Sequence, residues 1–316
     1  MPEIASKRLG DSGLKVSVVG LGCNNFGRRL AEVGALEVVA TALDAGITLF
    51  DTADIYSEGQ SEAILGKALR GRREQAIIAT KFGGQMGTSP FQRGASRRWP
   101  RIAVEGSLRR LGTDWIDVYQ LHFPDDDTPI EETLRTLDDL VHEGKVRYVG
   151  SSNFAAWQVA DAEWTARTNH LARFVSAQNE YNLLQRSVEA ELTAACVRYG
   201  IGIIPYSPLA SGLLTGKFQR GEPPPPDTRI GKNPQLAQRW LTDRNFDLIE
   251  SLRRFAEQRS LSLLDVAIGG LAAQPQVASV IAGAMTPQQV QANVRAGQWQ
   301  PSAEDLHELD RITKQV

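Results

Sequence analysis

Gly20-Leu21-Gly22-Cys23-Asn24-Asn25-Phe26-Gly27 closes the first apolar run of the chain, residues 16–21, and superficially resembles a glycine fingerprint. Such a loop seats a dinucleotide at the first strand-to-helix turn of a doubly wound sheet and opens its helix at the third glycine. Here the spacing is wrong and no helical pattern opens at Gly27. Gly212 to Lys217 approaches a phosphate loop, but it is one residue short and lacks the following Ser or Thr. With both gone, the repeat of the remaining sequence governs the reading. Apolar, β-type runs occur at residues 16–21, 48–52, 76–81, 115–122, 146–151, 174–179, 202–206 and 277–281. Helical patterns alternate with them at 31–45, 61–70, 101–111, 130–143, 155–167, 187–199 and 246–260. Strands joined by crossover helices make a parallel sheet, and eight such units close into a (β/α)8 barrel with its site at the C-terminal strand ends. The whole chain, residues 1–316, reads as one such α/β domain.

The helical stretches carry their own marks. Leu134, Leu137, Leu140 and Val141 keep the 3/4 spacing of a one-sided apolar face. Gly46, Gly71, Gly112, Gly144 and Gly200 follow helical runs, where a left-handed residue ends the helix. Residues 7–15 read as a β-hairpin turning at Asp11-Ser12-Gly13, placed to plug the bottom of the barrel. Residues 210–245, with the run Pro223-Pro224-Pro225-Pro226, exceed an ordinary connection and lie on the catalytic face. They are expected to form a clamp over a cofactor or substrate. The chain is expected to finish in a helix at Ala303–Lys314.

A formal net charge of -2 with mixed signs leaves no footprint for nucleic acid or for an anionic membrane. The start of the chain lacks the apolar core of a signal peptide. Residues 261–273 are too short and too polar to cross a bilayer. Two cysteines, Cys23 and Cys196, imply no disulfide framework and fit a reducing compartment. The expectation is a soluble cytoplasmic protein with no metal site.

Asp51, Lys81 and His122 each close an apolar run, and Tyr56 follows the first of them within Phe50-Asp51-Thr52-Ala53-Asp54-Ile55-Tyr56. An acid, a phenol, an ammonium and an imidazole at neighbouring strand ends suit reduction of a carbonyl, whose oxygen needs a proton as hydride reaches carbon. Tyrosine supplies that proton more readily if its pKa, ordinarily about 10, falls. An ammonium about 4 Å away at an effective dielectric of ~20 is worth roughly 4 kcal/mol, or about 3 pK units. Lys81 is therefore expected to lower Tyr56, with Asp51 orienting Lys81 and partly cancelling its effect. His122 is expected to hold the substrate oxygen.

The order of motifs resembles the aldo-keto reductase superfamily, of the bacterial type close to the potassium-channel β-subunit branch. The resemblance runs from about Lys7 to the C-terminus: FDTADIY (50–56), GQSEAILGKAL (59–69), IIATKF (77–82), SLRRLGTDWIDVYQLH (107–122), VRYVGSSNF (146–154), AQNEYNLL (177–184), IPYSPLASGLLTGK (204–217) and VIAGAMTPQQVQAN (280–293). It implies that Tyr56, Asp51, Lys81 and His122 are the catalytic tetrad. It implies that Ser152, Asn153 and Gln178 hold a nicotinamide carboxamide, and that Tyr206 stacks on the ring. Ser207, Leu209 and Ser211 match the stretch along the pyrophosphate, although barrel packing alone also accounts for Leu209. Gly283 and Gln289 stand where many relatives place a lysine and an arginine for the 2′-phosphate, Ala292 stands where an acid is usual, and Asn293 matches an adenine contact. The channel-subunit branch takes its basic groups from the seventh loop instead, and Lys217 and Arg229 align with them. The alternative for that pair is two solvated surface charges. NADPH is the cofactor implied, NADH less so.

The substrate implied is a small-molecule carbonyl compound, taken by an open site because no long tail follows the last helix. The mouth is expected to be lined by residues 82–99, residues 23–28 and the neighbourhood of Tyr181. The chain is expected to be a monomer or weak homo-oligomer. The other activity the resemblance allows is a slowly turning-over, cofactor-binding subunit that associates with a channel or senses redox state.

Overall fold

The computed structural model describes residues 4–314. A two-stranded hairpin, β1 (Ser6–Arg8) and β2 (Lys15–Ser17), precedes eight parallel strands. These are β3 (Val19–Gly22), β4 (Leu49–Asp51), β5 (Ile77–Phe82), β6 (Ile116–Leu121), β7 (Val146–Ser152), β8 (Phe174–Gln178), β9 (Gly202–Ile203) and β10 (Val280–Gly283). The intervening helices are α1 (Glu32–Asp44), α2 (Gln60–Ala68), α3 (Arg98–Leu111), α4 (Ile130–His142), α5 (Ala156–Thr168) and α6 (Leu192–Tyr199). After β9 come α7 (Pro234–Trp240), α8 (Asp243–Glu257) and α9 (Leu263–Ala272), and after β10 come α10 (Pro287–Ala296) and α11 (Ala303–Lys314). Among the described residues no helix is long and apolar enough to cross a membrane.

The strands are buried on both faces, helices outside and packed side chains within, which is why they read as continuous apolar runs rather than as alternation. Neighbours pair in the order β10-β3-β4-β5-β6-β7-β8-β9. The circle closes by backbone bonds: Ile203 N–H donates to Gln276 O at 2.8 Å, Ala278 N–H to Ile203 O at 2.9 Å and Ile281 N–H to Pro205 O at 3.0 Å. Leu9 and Val16 of the hairpin join Leu49, Ala79, Val118, Ile204, Ala278 and Ile281 in one buried cluster, so the hairpin is the barrel's plug. Gly46, Gly71, Gly112, Gly144 and Gly200 all have positive φ, as helix-ending glycines require.

Several boundaries differ from the sequence reading, three of them with consequences for the fold. Residues 16–21 are two strands, not one: the chain bends at Val18, the first half pairing with β1 and the second with β10 and β4. Both halves are buried, so hydrophobicity does not mark the bend. The eighth strand is displaced toward Gly283; Val277 makes only an isolated bridge to Ile203 in the seam. Residues 210–245 are not a bare loop, since they hold a 3-10 segment at Ala210–Thr215 and the whole of α7, capped by the Asn233 side chain.

Candidate active site

Register brings the strand ends level. Asp51 lies beside Gly22 on one side and Ala79 on the other, Lys81 beside Gln120, and Ser152 beside Gln178. Lys81 is wholly buried; its Nζ donates to Asp51 Oδ1 at 2.6 Å and to the Thr52 carbonyl at 2.8 Å. Asp51 Oδ1 also accepts from Gln178 Nε2 at 2.7 Å. The third side of the ammonium faces Tyr56, whose ring centre is 5.3 Å from Nζ. Tyr56 meets His122 edge to face, ring centres 5.7 Å apart, and His122 stacks flat on the exposed Phe123 at 4.3 Å. All four predicted catalytic residues are thus in one cluster at the C-terminal end of the barrel.

Burial changes one expectation about this cluster. It raises Tyr56 above its ordinary value, outweighing the lowering by Lys81, while Asp51 raises it further. The phenol is therefore a firmly protonated group. Burial also works against the charge on Lys81, but Asp51 and Tyr56 more than offset it and its pKa is raised. His122 is pushed down to about 3 by burial, with Lys81 adding to the effect, and its buried Nδ1 has no hydrogen-bond partner. It is neutral at physiological pH.

A stability prediction follows from His122. An unfolded histidine titrates near 6.5, so below that pH the unfolded chain takes up a proton that the folded chain refuses until about 3. Stability from this residue is complete above about pH 6.5 and falls as pH drops, by up to about 1.4 kcal/mol per pH unit. Urea unfolding should show wild type losing stability relative to His122→Asn steadily from pH 7 to pH 5. A constant difference would mean that His122 does not carry the effect.

Above the cluster opens a cavity of about 660 Å³. Ser152, Asn153, Gln178, Tyr206, Ser207, Leu209, Ser211, Lys217, Arg229, Gly283, Gln289 and Asn293 all line it together with Asp51, Tyr56 and His122. Asn153, in a left-handed conformation, donates from Nδ2 to the His122 carbonyl at 3.0 Å, and its Oδ1 accepts from the Tyr206 phenol at 2.8 Å. Along one wall Ser207, Ser211 and Gly212 have positive φ, a strained backbone at the two serines. Lys217 and Arg229 are both lowered, first by burial in the concave wall and then by Arg29; Arg28 acts further on Arg229. Tyr56 and Glu180 act the other way on Arg229, without overcoming its burial.

The mouth differs from the expected one. Asn24, Asn25 and Arg29 line the cavity, as the first loop was expected to, and so does Phe123. Residues 82–99 do not. Met86, Gly87, Gln92 and Trp99 line a separate cleft of about 380 Å³ against α3. Tyr181 is buried, its phenol donating to Glu189 at 2.6 Å. Arg29 and Phe123 were missed although each adjoins a residue already singled out; a solvated arginine or a stray aromatic is the ordinary reading of either one alone.

The comparison with known proteins agrees with this arrangement. The Aldo/keto reductase family model matches residues 18–314. A probable voltage-gated potassium channel subunit beta of Oryza sativa subsp. japonica is 38% identical over 301 residues, covering 92% of this chain and 90% of that protein. One from Arabidopsis thaliana is 38% identical over 300 residues with the same coverage. The versiconal hemiacetal acetate reductase of Aspergillus parasiticus is 34% identical over 329 residues, 96% of this chain and 95% of the reductase. A barrel whose strand ends gather Asp51, Tyr56, Lys81 and His122, matched over nearly its whole length, belongs to the aldo/keto reductase family.

Proposed function

We propose that this chain is an oxidoreductase that reduces aldehydes or ketones to alcohols with NADPH. The observation that carries the reading is Lys81, buried between Asp51 and Tyr56, both of which line the cavity together with His122. The lining suits the cofactor: amide groups at Asn153 and Gln178, an aromatic face at Tyr206, and cations at Lys217 and Arg229. NADPH, when bound, supplies hydride to the carbonyl carbon. Tyr56 passes its proton to the carbonyl oxygen, and Lys81 stabilises the phenolate that remains. Asp51, Thr52 and Gln178 keep the ammonium in place for this. Neutral His122 offers a ring N–H to orient the same oxygen. Similarity to a named reductase supports this activity.

Lys217 and Arg229 argue for NADPH over NADH through charge-assisted hydrogen bonds to the extra phosphate. The dissociation constant for NADPH should be at least tenfold lower than for NADH, a difference of about 1.4 kcal/mol. Equal constants, or tighter NADH, would sink the preference. The partner is a small-molecule carbonyl compound, and the chain works in the cytoplasm as a monomer or weak homo-oligomer.

The similarity to two potassium channel subunits favours one other reading, a cofactor-binding subunit with slow turnover. The deciding assay follows the cofactor's near-ultraviolet absorbance with purified protein, NADPH and 4-nitrobenzaldehyde, NADH in parallel, and the solution mass of the same sample. Rapid NADPH oxidation establishes the reductase. Tight binding without turnover, in a stable oligomer, supports the subunit.

A further inference from the structure

Asp54 lies in the turn between Asp51 and Tyr56, and the chemistry above makes no use of it. Its side chain is 1% exposed. Oδ1 accepts from Ile55 N–H at 2.7 Å, and the Asp54 backbone N–H donates to the Lys81 carbonyl at 3.2 Å. One residue therefore ties the turn that carries the phenol to the strand that carries the ammonium. Immediately beyond Tyr56 the backbone turns left-handed three times in succession, at Ser57 (φ 51°), Glu58 (φ 55°) and Gly59 (φ 87°). Such a segment holds its shape only when its surroundings over-determine it.

The second oxygen, Oδ2, is buried without a hydrogen-bond partner. The charged and titratable groups facing Asp54 are Glu62 from α2, Arg110 from α3, Lys81 from β5 and the Tyr119 phenol from β6. Neither cation is free to answer it. Arg110 is paired with Glu62 at 2.7 Å and Lys81 with Asp51 at 2.6 Å. Glu62 also accepts from Thr80 Oγ1 at 2.6 Å, which fits a carboxylate. A carboxyl group buried beside a carboxylate with no counter-ion is held neutral. Burial first, and Glu62 second, push Asp54 up to about 8. The cleft of about 380 Å³ that Asp54 borders with Trp99 and Arg110 gives its proton a path to water outside the catalytic cavity.

We infer that Asp54 is a positioning residue for Tyr56: its uncharged carboxyl group holds the turn over residues 52–56, and ionising it displaces the phenol from Lys81 and the substrate. The inference rests on the reductase reading. It assigns the alkaline limb of the rate to a residue that touches neither substrate nor cofactor. Tyr56 itself, raised above its ordinary value, does not titrate in that range.

The test compares kcat, KM and the NADPH dissociation constant at pH 7 and pH 9 for wild type, Asp54→Asn and Asp54→Ala, with 4-nitrobenzaldehyde. Wild-type kcat should fall about tenfold across those two units, following the protonated fraction of a group with its midpoint near 8. In Asp54→Asn, which cannot ionise and keeps an acceptor for Ile55, the ratio should stay within about twofold. Asp54→Ala should lose kcat at both pH values with NADPH binding unchanged, a split that general unfolding would not give. A tenfold fall persisting in Asp54→Asn, or a flat wild type, overturns the inference while leaving the reductase standing. Wild type without turnover at pH 7 removes the reductase reading and this inference together.

Discussion

Replacing Tyr56 with Phe should cut carbonyl reduction by about 10²- to 10⁴-fold, the range that a positioned general acid contributes. NADPH binding should stay within about twofold of wild type, because the phenol oxygen faces Lys81 and the substrate rather than the cofactor wall. The variant should also fold: Phe keeps the edge-to-face packing on His122, and Lys81 retains both Asp51 and the Thr52 carbonyl. Turnover by the absorbance assay, with NADPH titrated by quenching of intrinsic fluorescence, measures the two quantities separately. A variant with most of the wild-type kcat would remove Tyr56 as the proton donor. One that failed to bind NADPH would show that the phenol belongs to the cofactor site.

Lys81→Met should be the more damaging change, because it acts twice. The ammonium's stabilisation of a phenolate, roughly 4 kcal/mol at about 4 Å and effective dielectric ~20, corresponds to about 10³-fold in rate. Its loss also leaves Asp51 buried without a counter-ion, with only Gln178 still donating to it. Breaking a buried pair from one side costs about 3–5 kcal/mol. Denaturant unfolding should therefore show several kcal/mol lost. Lys81→Met with Asp51→Asn together should recover much of the stability and none of the activity. If the double variant were no more stable than the single one, the charge left on Asp51 would not be the source of the cost.

What the sequence made legible here follows physical rules. The strands of this barrel are buried on both faces, so each announced itself as an apolar run, and the polar residue closing a run was conspicuous at Asp51, Lys81 and His122. Glycines past helix ends were equally plain, because only one backbone conformation explains them. Boundaries set by pairing were not legible. Val16 and Val19 are equally apolar, and only the partner strands show that the chain bends between them. The electrostatic balance at Tyr56 escaped as well. Lys81 was visible in the sequence, but the depth of burial that outweighs it is a property of the packed site. Asp54 is inconspicuous in the sequence for the same reason: its missing counter-ion is visible only once Arg110 is seen bound to Glu62. The mouth was misplaced because residues 82–99, though on the correct face, fold away toward α3.

The hairpin that plugs the barrel has a bearing on how the chain reaches this state. Lys7 Nζ donates to the carbonyls of Ala272 at 2.5 Å, Gln274 at 3.2 Å and Val277 at 3.1 Å, while Asp11 N–H donates to the Gly200 carbonyl at 2.7 Å. One short ribbon thus grips both banks of the seam between β9 and residues 276–281, where strand pairing is thinnest. The partners of Lys7 are 265 to 270 residues away along the chain. During synthesis the ribbon emerges well before these partners. Seam closure is a highly non-local event of folding, and the slowest step is expected there. In the finished protein the amides of Ile203 and Ala278 should be the first of the barrel's to exchange with deuterium when Lys7 is replaced by Ala, marking the line along which the cylinder comes open.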